Sequence, residues 1–479
     1  MKIFYKNAFM LITAGLLSLS LFAKEKVSFV TEKVPGDKEL VIYVTANDWG
    51  PSVDKIVFNT GKEIKPEEIE VDEFEISKEK RRESNHDSRT DWQEIELEAD
   101  DVYCSDGYGN RVAGSSKYLT AVFNNLPDSE NCSPFAGSLI KGVNNVYGYR
   151  IENDDLDLNI YKMAGMVNPL GAKFKTSEFI TDQYKMSYAF YNPPKKADKT
   201  PLIIWLHGIS EGGNNPYVAM FGIKSVNLAS EEIQKYFKDG ASVLIPQCPT
   251  AWLETTTLDA NGMRVWEPID IAGTINKYVN PVKGILGMLT NIPVNQIVEE
   301  KPLAKTSYYT ESLMALIETY LDLNPYIDRN RIYIGGCSAG GYMTLNMLIE
   351  KPGFFAAAIP TCEVYVNNKI TDKEIQELAK VPMWFVQAKN DGMAKPAVYV
   401  SPTFERLENA GASNVHLSMY EGVFDKTGKY LAKKDDDDDP DKVYEYNGHY
   451  SWIYVLNNDP NEDGKSIFEW LSEQKKYSR

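Results

Sequence analysis

The sequence predicts two unlike parts: an all-β sandwich, then a mostly parallel sheet with helices on both faces. Three observations carry this. From Lys26 to about Arg150, short strand-like runs alternate with turn residues. Farther on, the apolar runs become continuous and helical stretches separate them, as in a sheet buried on both faces. One such run ends in Gly336-Cys337-Ser338-Ala339-Gly340, a serine among small residues where a strand meets a helix.

Lys2 and Lys6 precede Ala8 to Phe22, which is uncharged and mostly apolar, and Ala23 is a small residue before Lys24. The run is short of the roughly 20 residues a bilayer span needs. Residues 1–23 therefore read as a cleaved signal peptide, with a secreted or periplasmic mature chain and no membrane span after cleavage. No cysteine follows the run to accept a lipid.

Residues 24–165 form the expected sandwich, with strands such as Leu40–Val44, Lys55–Phe58 and Tyr118–Phe123 and a charged interruption from Glu75 to Arg89. Around Met163 to Lys173 the apolar rhythm lapses at Gly165, Asn168, Pro169 and Gly171, which places a linker there. Residues 166–479 form the second domain. Its expected strands include Pro201–Leu206, Ala241–Ile245, Arg331–Ile334, Pro382–Val386 and Val415–Tyr420. Its expected helices are Tyr308–Leu323, Gly341–Glu350, Asp372–Ala379 and Ser401–Ala410.

Of 479 residues, 43% are hydrophobic and 25% charged, a balance that excludes a multi-span membrane protein and a mainly disordered chain. Lys and Arg number 51 and Asp and Glu 68, a net charge of −17 that repels phosphate backbones. With no basic patch, the reading is no nucleic acid. The five cysteines contain no Cys-x-x-Cys pair, so a cysteine zinc site is not expected. Cys104 and Cys132 could pair; Cys248, Cys337 and Cys362 read as structural thiols or a bridge, with a reactive Cys337 the alternative. Asp459, Asn461, Asp463 and Gly464 begin like a calcium loop, but Trp470 stands where the closing Glu belongs, so this reads as a solvated turn. The Asp435–Asp439 run reads as an acidic loop. No cofactor and no metal are expected.

Ser338 needs a base, and the chain has four histidines. His86 lies in the sandwich, His207 directly after a strand, and His416 inside one. His449 alone sits in a loop after the last strand, where the order Ser, Asp or Glu, His places the base. Asp391, at the end of the run Phe385–Gly392, is the expected acid that fixes the base's tautomer; Glu363 and Glu421, also beyond strand ends, are weaker candidates. The oxyanion hole is expected from the amides of Ala339 and Ile209, the latter in Leu206-His207-Gly208-Ile209. His207 reads as structural. Trp252, Trp266, Tyr308 and Trp452 could line a substrate cleft, though each such residue is more often core.

These motifs, in this order, resemble an α/β-hydrolase family of secreted esterases and predicted peptidases, akin to feruloyl-esterase and polyhydroxyalkanoate-depolymerase-like enzymes and, more distantly, to prolyl oligopeptidases. The likeness runs from about Val167 to the C-terminus. It rests on Pro201–Gly208, Ile245–Pro249, Ile332–Gly341, Phe354–Pro360, Gly448-His449 with Ser451-Trp452, and Phe468–Leu471. Trp49-Gly50-Pro51, Lys55–Phe58 and Gly61–Ile64 resemble the immunoglobulin-like domain that precedes some of these esterases. Many relatives carry His where this chain has Gln387, a position not needed for the triad, and Leu258–Lys305 has no clear counterpart. The resemblance implies an α/β hydrolase preceded by an immunoglobulin-like sandwich, acting as a serine carboxylesterase on short-chain or feruloyl-type esters. The substrate would be a small molecule or a plant-polysaccharide-linked ester. A prolyl-oligopeptidase-type serine peptidase and an inert secreted binding or adhesion module are the alternatives. For the sandwich, glycan binding, control of cleft access and self-association stay open.

Overall fold

The computed structural model describes residues 28–80, 93–138, 143–181, 185–194, 199–253, 255–258, 264–267, 306–431 and 443–476. The leader, His86, the Asp435–Asp439 run and most of Leu258–Lys305 lie outside them.

The N-terminal part holds a six-stranded and a four-stranded sheet. The first runs Phe29–Val30, Lys162–Val167, Glu39–Asn47, Gly50–Ile64, Ser116–Val122, Asp101–Ser105; the second runs Leu158–Ile160, Gly148–Asn153, Glu75–Lys80, Gln93–Leu97. In Gly148–Asn153 the alternate residues Tyr149, Ile151 and Asn153 are buried, the period-two burial of a strand with one face inward. Leu40, Ile42, Ile56, Phe58 and Leu119 supply buried apolar residues from the other sheet.

The linker expected at Met163–Lys173 begins as a strand. Lys162–Val167 lies parallel to both Phe29–Val30 and Glu39–Asn47, and Met166 and Val167 are buried. A register shift between Met163 and Gly165 breaks the apolar rhythm without ending the strand. The all-β part therefore continues through Val167, and the boundary between 165 and 166 falls inside that strand.

The second part is built on one eight-stranded sheet. Its strands are β1 (Lys175–Ile180), β2 (Lys185–Tyr191), β3 (Thr200–Leu206), β4 (Ser242–Gln247), β5 (Ile327–Cys337), β6 (Ala357–Thr361), β7 (Met383–Ala388) and β8 (Val415–Tyr420), in the spatial order β1-β2-β4-β3-β5-β6-β7-β8. The β2 strand runs antiparallel to both neighbours; from β4 to β8 the pairing is parallel. Every residue of β3, β4, β6 and β7 is buried, which is why β3, β4 and β7 read as continuous apolar runs. The charged, exposed edge strand β1 carries no such pattern. Helices Thr310–Leu323, Ala339–Glu350, Asp372–Leu378 and Val400–Asn409 connect the parallel strands.

The two parts share one continuous apolar core. Phe29 stacks on Phe221 at 4.4 Å between ring centres and meets Tyr217 edge-on at 5.0 Å, while Phe135 lies 6.2 Å from Phe221. Beside this seam Asp48 Oδ1 accepts from Lys224 Nζ at 2.7 Å and from Asn457 Nδ2 at 2.9 Å.

All five cysteines are free thiols. Asp463 and Gly464, at φ 51° and 79°, make the two-residue turn between Asn461–Glu462 and Lys465–Ser466.

Candidate active site

Ser338 stands between β5 and helix Ala339–Glu350, at φ 55° and ψ −117°. A side chain held in that region is strained and persists only where its surroundings fix it. They do. A Cβ on Gly340 would lie 2.1 Å from the Leu206 carbonyl oxygen, and one on Gly336 would lie 2.6 Å from it. The Ser338 amide donates to Thr361 O at 3.0 Å. Small neighbours let the turn pass between β3 and β6.

His449 lies in a single 3-10 turn, Gly448–Tyr450, whose preceding Asn447 accepts the His449 amide at 2.9 Å. Gly448 sits where a Cβ would be 2.2 Å from Asn390 Oδ1, so the turn presses against the loop after β7. His449 Nε2 is 2.8 Å from Ser338 Oγ, and its Nδ1 is 2.9 Å from Asp391 Oδ2. Trp452 meets the imidazole edge-on, with ring centres 5.9 Å apart.

Asp391 is buried at the end of β7. Its Oδ1 accepts from the amides of Met393 and Ala394, each at 2.8 Å, and its Oδ2 also accepts from Gln387 Nε2 at 2.8 Å. Burial pushes the carboxyl's pKa up, but His449 and the two amides outweigh it and hold the group below its usual value. Gln387, not needed for the triad, nonetheless ties this carboxylate to Ala394 O at 3.0 Å. Of the other two acids, Glu421 is exposed and paired with Lys389. Glu363 is buried beyond β6, accepts the Tyr365 amide at 2.5 Å, and is pushed by burial to about 8. The carboxylate on His449 is Asp391.

Ile209 opens a 3-10 turn, Ile209–Glu211, directly after β3 and His207-Gly208, while Ala339 opens the helix behind Ser338. His207 is fully buried and clamps the loop. Its Nε2 accepts the Cys248 amide at 2.9 Å, which leaves Nδ1 to donate to Gly208 O at 2.6 Å. Burial lowers its pKa to about 4, so the ring is neutral near pH 7.

Trp252 is core: it is fully buried, and its Nε1 donates to His207 O at 3.1 Å. Tyr308 is half-buried, and the Trp266 side chain lies outside the described residues. Burial raises the thiols of Cys337 and Cys362 well above the ordinary value, and Cys337 is fully buried in the core.

Residues 305–427, less than half of the chain, match the prolyl oligopeptidase family. A solved structure described as a thermostable esterase aligns with a TM-score of 0.58 at 19% identity, over 91% of this chain and 100% of the other. An acylaminoacyl peptidase from Pyrococcus horikoshii aligns at 13% identity with a TM-score of 0.33, over 58% of this chain and 41% of that one. No curated protein gives a significant match. Fold, family match and the hydrogen-bonded serine together define the class: the chain is a serine hydrolase on an α/β-hydrolase scaffold.

Proposed function

We propose that the protein is an exported carboxylesterase that works through Ser338, His449 and Asp391. One observation carries the reading: the continuous relay from Ser338 Oγ through His449 to the buried Asp391 carboxylate. Asp391 accepts the Nδ1 proton and so leaves the His449 Nε2 lone pair facing the hydroxyl. His449 takes the Ser338 proton as the oxygen attacks the ester carbonyl. The amides of Ile209 and Ala339 receive the developing oxyanion, and the collapse of the tetrahedral intermediate expels the alcohol, protonated by His449. Water, activated by the same base, then releases the acid and restores Ser338.

An ester substrate of short-chain or feruloyl type follows from the family resemblance. The all-β part, read as immunoglobulin-like, supports this over peptide cleavage, because it is a compact pair of sheets and not a long propeller gating a chamber. The match to the prolyl oligopeptidase family favours a second reading, cleavage of peptides by the same serine. Export rests on the Lys2–Ala23 leader. A panel of short-chain nitrophenyl esters, feruloyl esters and peptide anilides separates the readings. Ester turnover should dominate, and Ser338→Ala should abolish it in a folded protein. A serine-directed phosphonate should label Ser338 alone. Near-wild-type turnover by Ser338→Ala would end the serine mechanism; faster anilide than ester cleavage would make the protein a peptidase.

A further inference from the structure

Asp391 Oδ2, the oxygen that accepts from His449 Nδ1 at 2.9 Å, also accepts from Gln387 Nε2 at 2.8 Å. Two donors share one oxygen. Gln387 is 1% exposed and belongs to β7, which pairs with β6 on one side and β8 on the other. Its amide orientation follows from its partners. Nε2 also lies 3.0 Å from Ala394 O, and a carbonyl oxygen only accepts, so the nitrogen and not the oxygen faces both groups. One N–H goes to the carboxylate and the other to Ala394, whose own amide donates to Asp391 Oδ1 at 2.8 Å. Gln387, Asp391 and Ala394 thus close a ring of hydrogen bonds. With the Met393 amide also on Oδ1, the carboxylate accepts two donors on each oxygen, which fills the roughly four lone-pair sites that it has.

We propose that Gln387 is a positioning residue that does more than tether the loop: by donating to the oxygen that His449 uses, it limits how firmly Asp391 holds the imidazolium. This deepens the serine-hydrolase mechanism proposed above and rests on it. His449 must take the Ser338 proton and then return it to the leaving alcohol. A buried oxygen with the imidazolium as its sole donor would hold the charged ring tightly and oppose the second transfer. A hydrogen bond from Gln387 spreads part of that negative charge, while the two amides on Oδ1 keep the carboxylate in place. The amide does not titrate, so this donor is present at every pH. Among the described residues, the titratable groups that face the pair from other elements are Cys362 after β6, beside Asp391, and Glu211 after β3, beside His449. Lys389, in the loop after β7, is paired with Glu421. Replacing Gln387 leaves all of these unchanged.

The test is kcat/KM across pH for wild type and Gln387→Met on two esters of one short acid, a nitrophenyl ester and an alkyl ester. Methionine matches glutamine in length and lacks the donor. In the variant the acidic limb should move to higher pH by roughly half a unit or more, because an unshared Oδ2 holds the imidazolium more firmly. The alkyl ester, whose alkoxide needs the proton from His449, should lose roughly 10-fold in kcat/KM at the pH optimum. The nitrophenyl ester, whose phenolate leaves without that proton, should lose clearly less. A residue that only tethers the loop would slow both esters equally and leave the limb where it is. An acidic limb that stays in place or moves to lower pH therefore overturns the proposal, and so do equal losses on the two esters. If circular dichroism shows that Gln387→Met does not fold, Gln387→Leu takes its place with the same outcomes. Phosphonate labelling of Ser338 in wild type runs alongside. Failure to label overturns the serine mechanism itself, whereas labelling together with an unmoved limb overturns the role of Gln387 alone.

Discussion

The ends of β6 and β7 invite comparison, because each delivers a buried carboxyl within a few residues of the strand. Asp391, past β7, accepts from two amides, Gln387 and the His449 ring, and is held below its usual pKa. Glu363, past β6, accepts the Tyr365 amide, has no hydrogen bond to Oε1 among the described residues, and is pushed to about 8. Burial alone drives a carboxyl toward its neutral form; burial with donors and a basic ring keeps it ionised. The difference teaches that position at a strand end does not make an acid catalytic. The donors around it do.

The sharpest way to break the comparison is to neutralise each acid. Asp391→Asn keeps the shape but favours the wrong His449 tautomer, and kcat should fall roughly 10⁴-fold, the loss that the same substitution causes in a serine-protease triad. Glu363→Gln should leave kcat within a few-fold of wild type. Kinetics on a short nitrophenyl ester decide it, and the reverse pattern would move the acid to Glu363.

Stability separates the two acids next. Glu363 keeps its proton in the folded state up to about pH 8, while in the unfolded chain it ionises near its ordinary 4.5. Its favourable contribution is complete below pH 4.5 and is lost as pH rises to 8, on the order of 3 kcal/mol by pH 7. Denaturant midpoints measured from pH 4.5 to 8 should therefore fall less steeply in Glu363→Gln than in wild type; parallel curves would show that Glu363 ionises in the fold.

His207 supplies the opposite sign. Its folded pKa of about 4 lies below the ordinary 6.5, so the unfolded chain binds the extra proton between those values. The stability from keeping it neutral is complete above pH 6.5 and is lost as pH falls toward 4, roughly 2 kcal/mol by pH 5. Replacing His207 by Gln should flatten that acid-side loss, read as Tm against pH.

The smallest effect on chemistry is expected from removing the all-β part. Ser338, His449, Asp391, Ile209 and Ala339 all lie in the second domain, so a chain starting at Asn168 should hydrolyse a small activated ester with kcat within a few-fold of full length. Its Tm should nevertheless drop, because Phe221 loses Phe29 and Phe135 and Asp48 no longer joins Lys224 to Asn457. A folded truncation with no esterase activity would show that the all-β part completes the site.

Much of this was legible in the residues. Continuous apolar runs marked β3, β4, β5 and β7, because strands covered on both faces admit little else. The glycines round Ser338 marked the elbow, because any larger residue would strike the neighbouring backbone. The edge strand β1 was illegible for the converse reason: exposed on nearly all its length, it carries no pattern. Gly165 misled, since a register shift inside a strand and the start of a linker both interrupt the apolar rhythm.

By itself, then, the sequence determined what short-range sterics and burial dictate: two unlike β-containing parts, a strained serine turn, and one loop histidine after the last strand. The tertiary structure alone decided how the expected acid is held: Asp391 accepts from the His449 ring, from Gln387 and from two amides, while Glu363 and Glu421 find other partners. Local pattern is written within a few residues, so it can be read along the chain. Hydrogen-bond partners such as His449 and Asp391 stand far apart in sequence and meet only when the sheet brings the ends of β5 and β7 beside the loop after β8, and it is that meeting which helps hold the Asp391 carboxyl below its usual pKa.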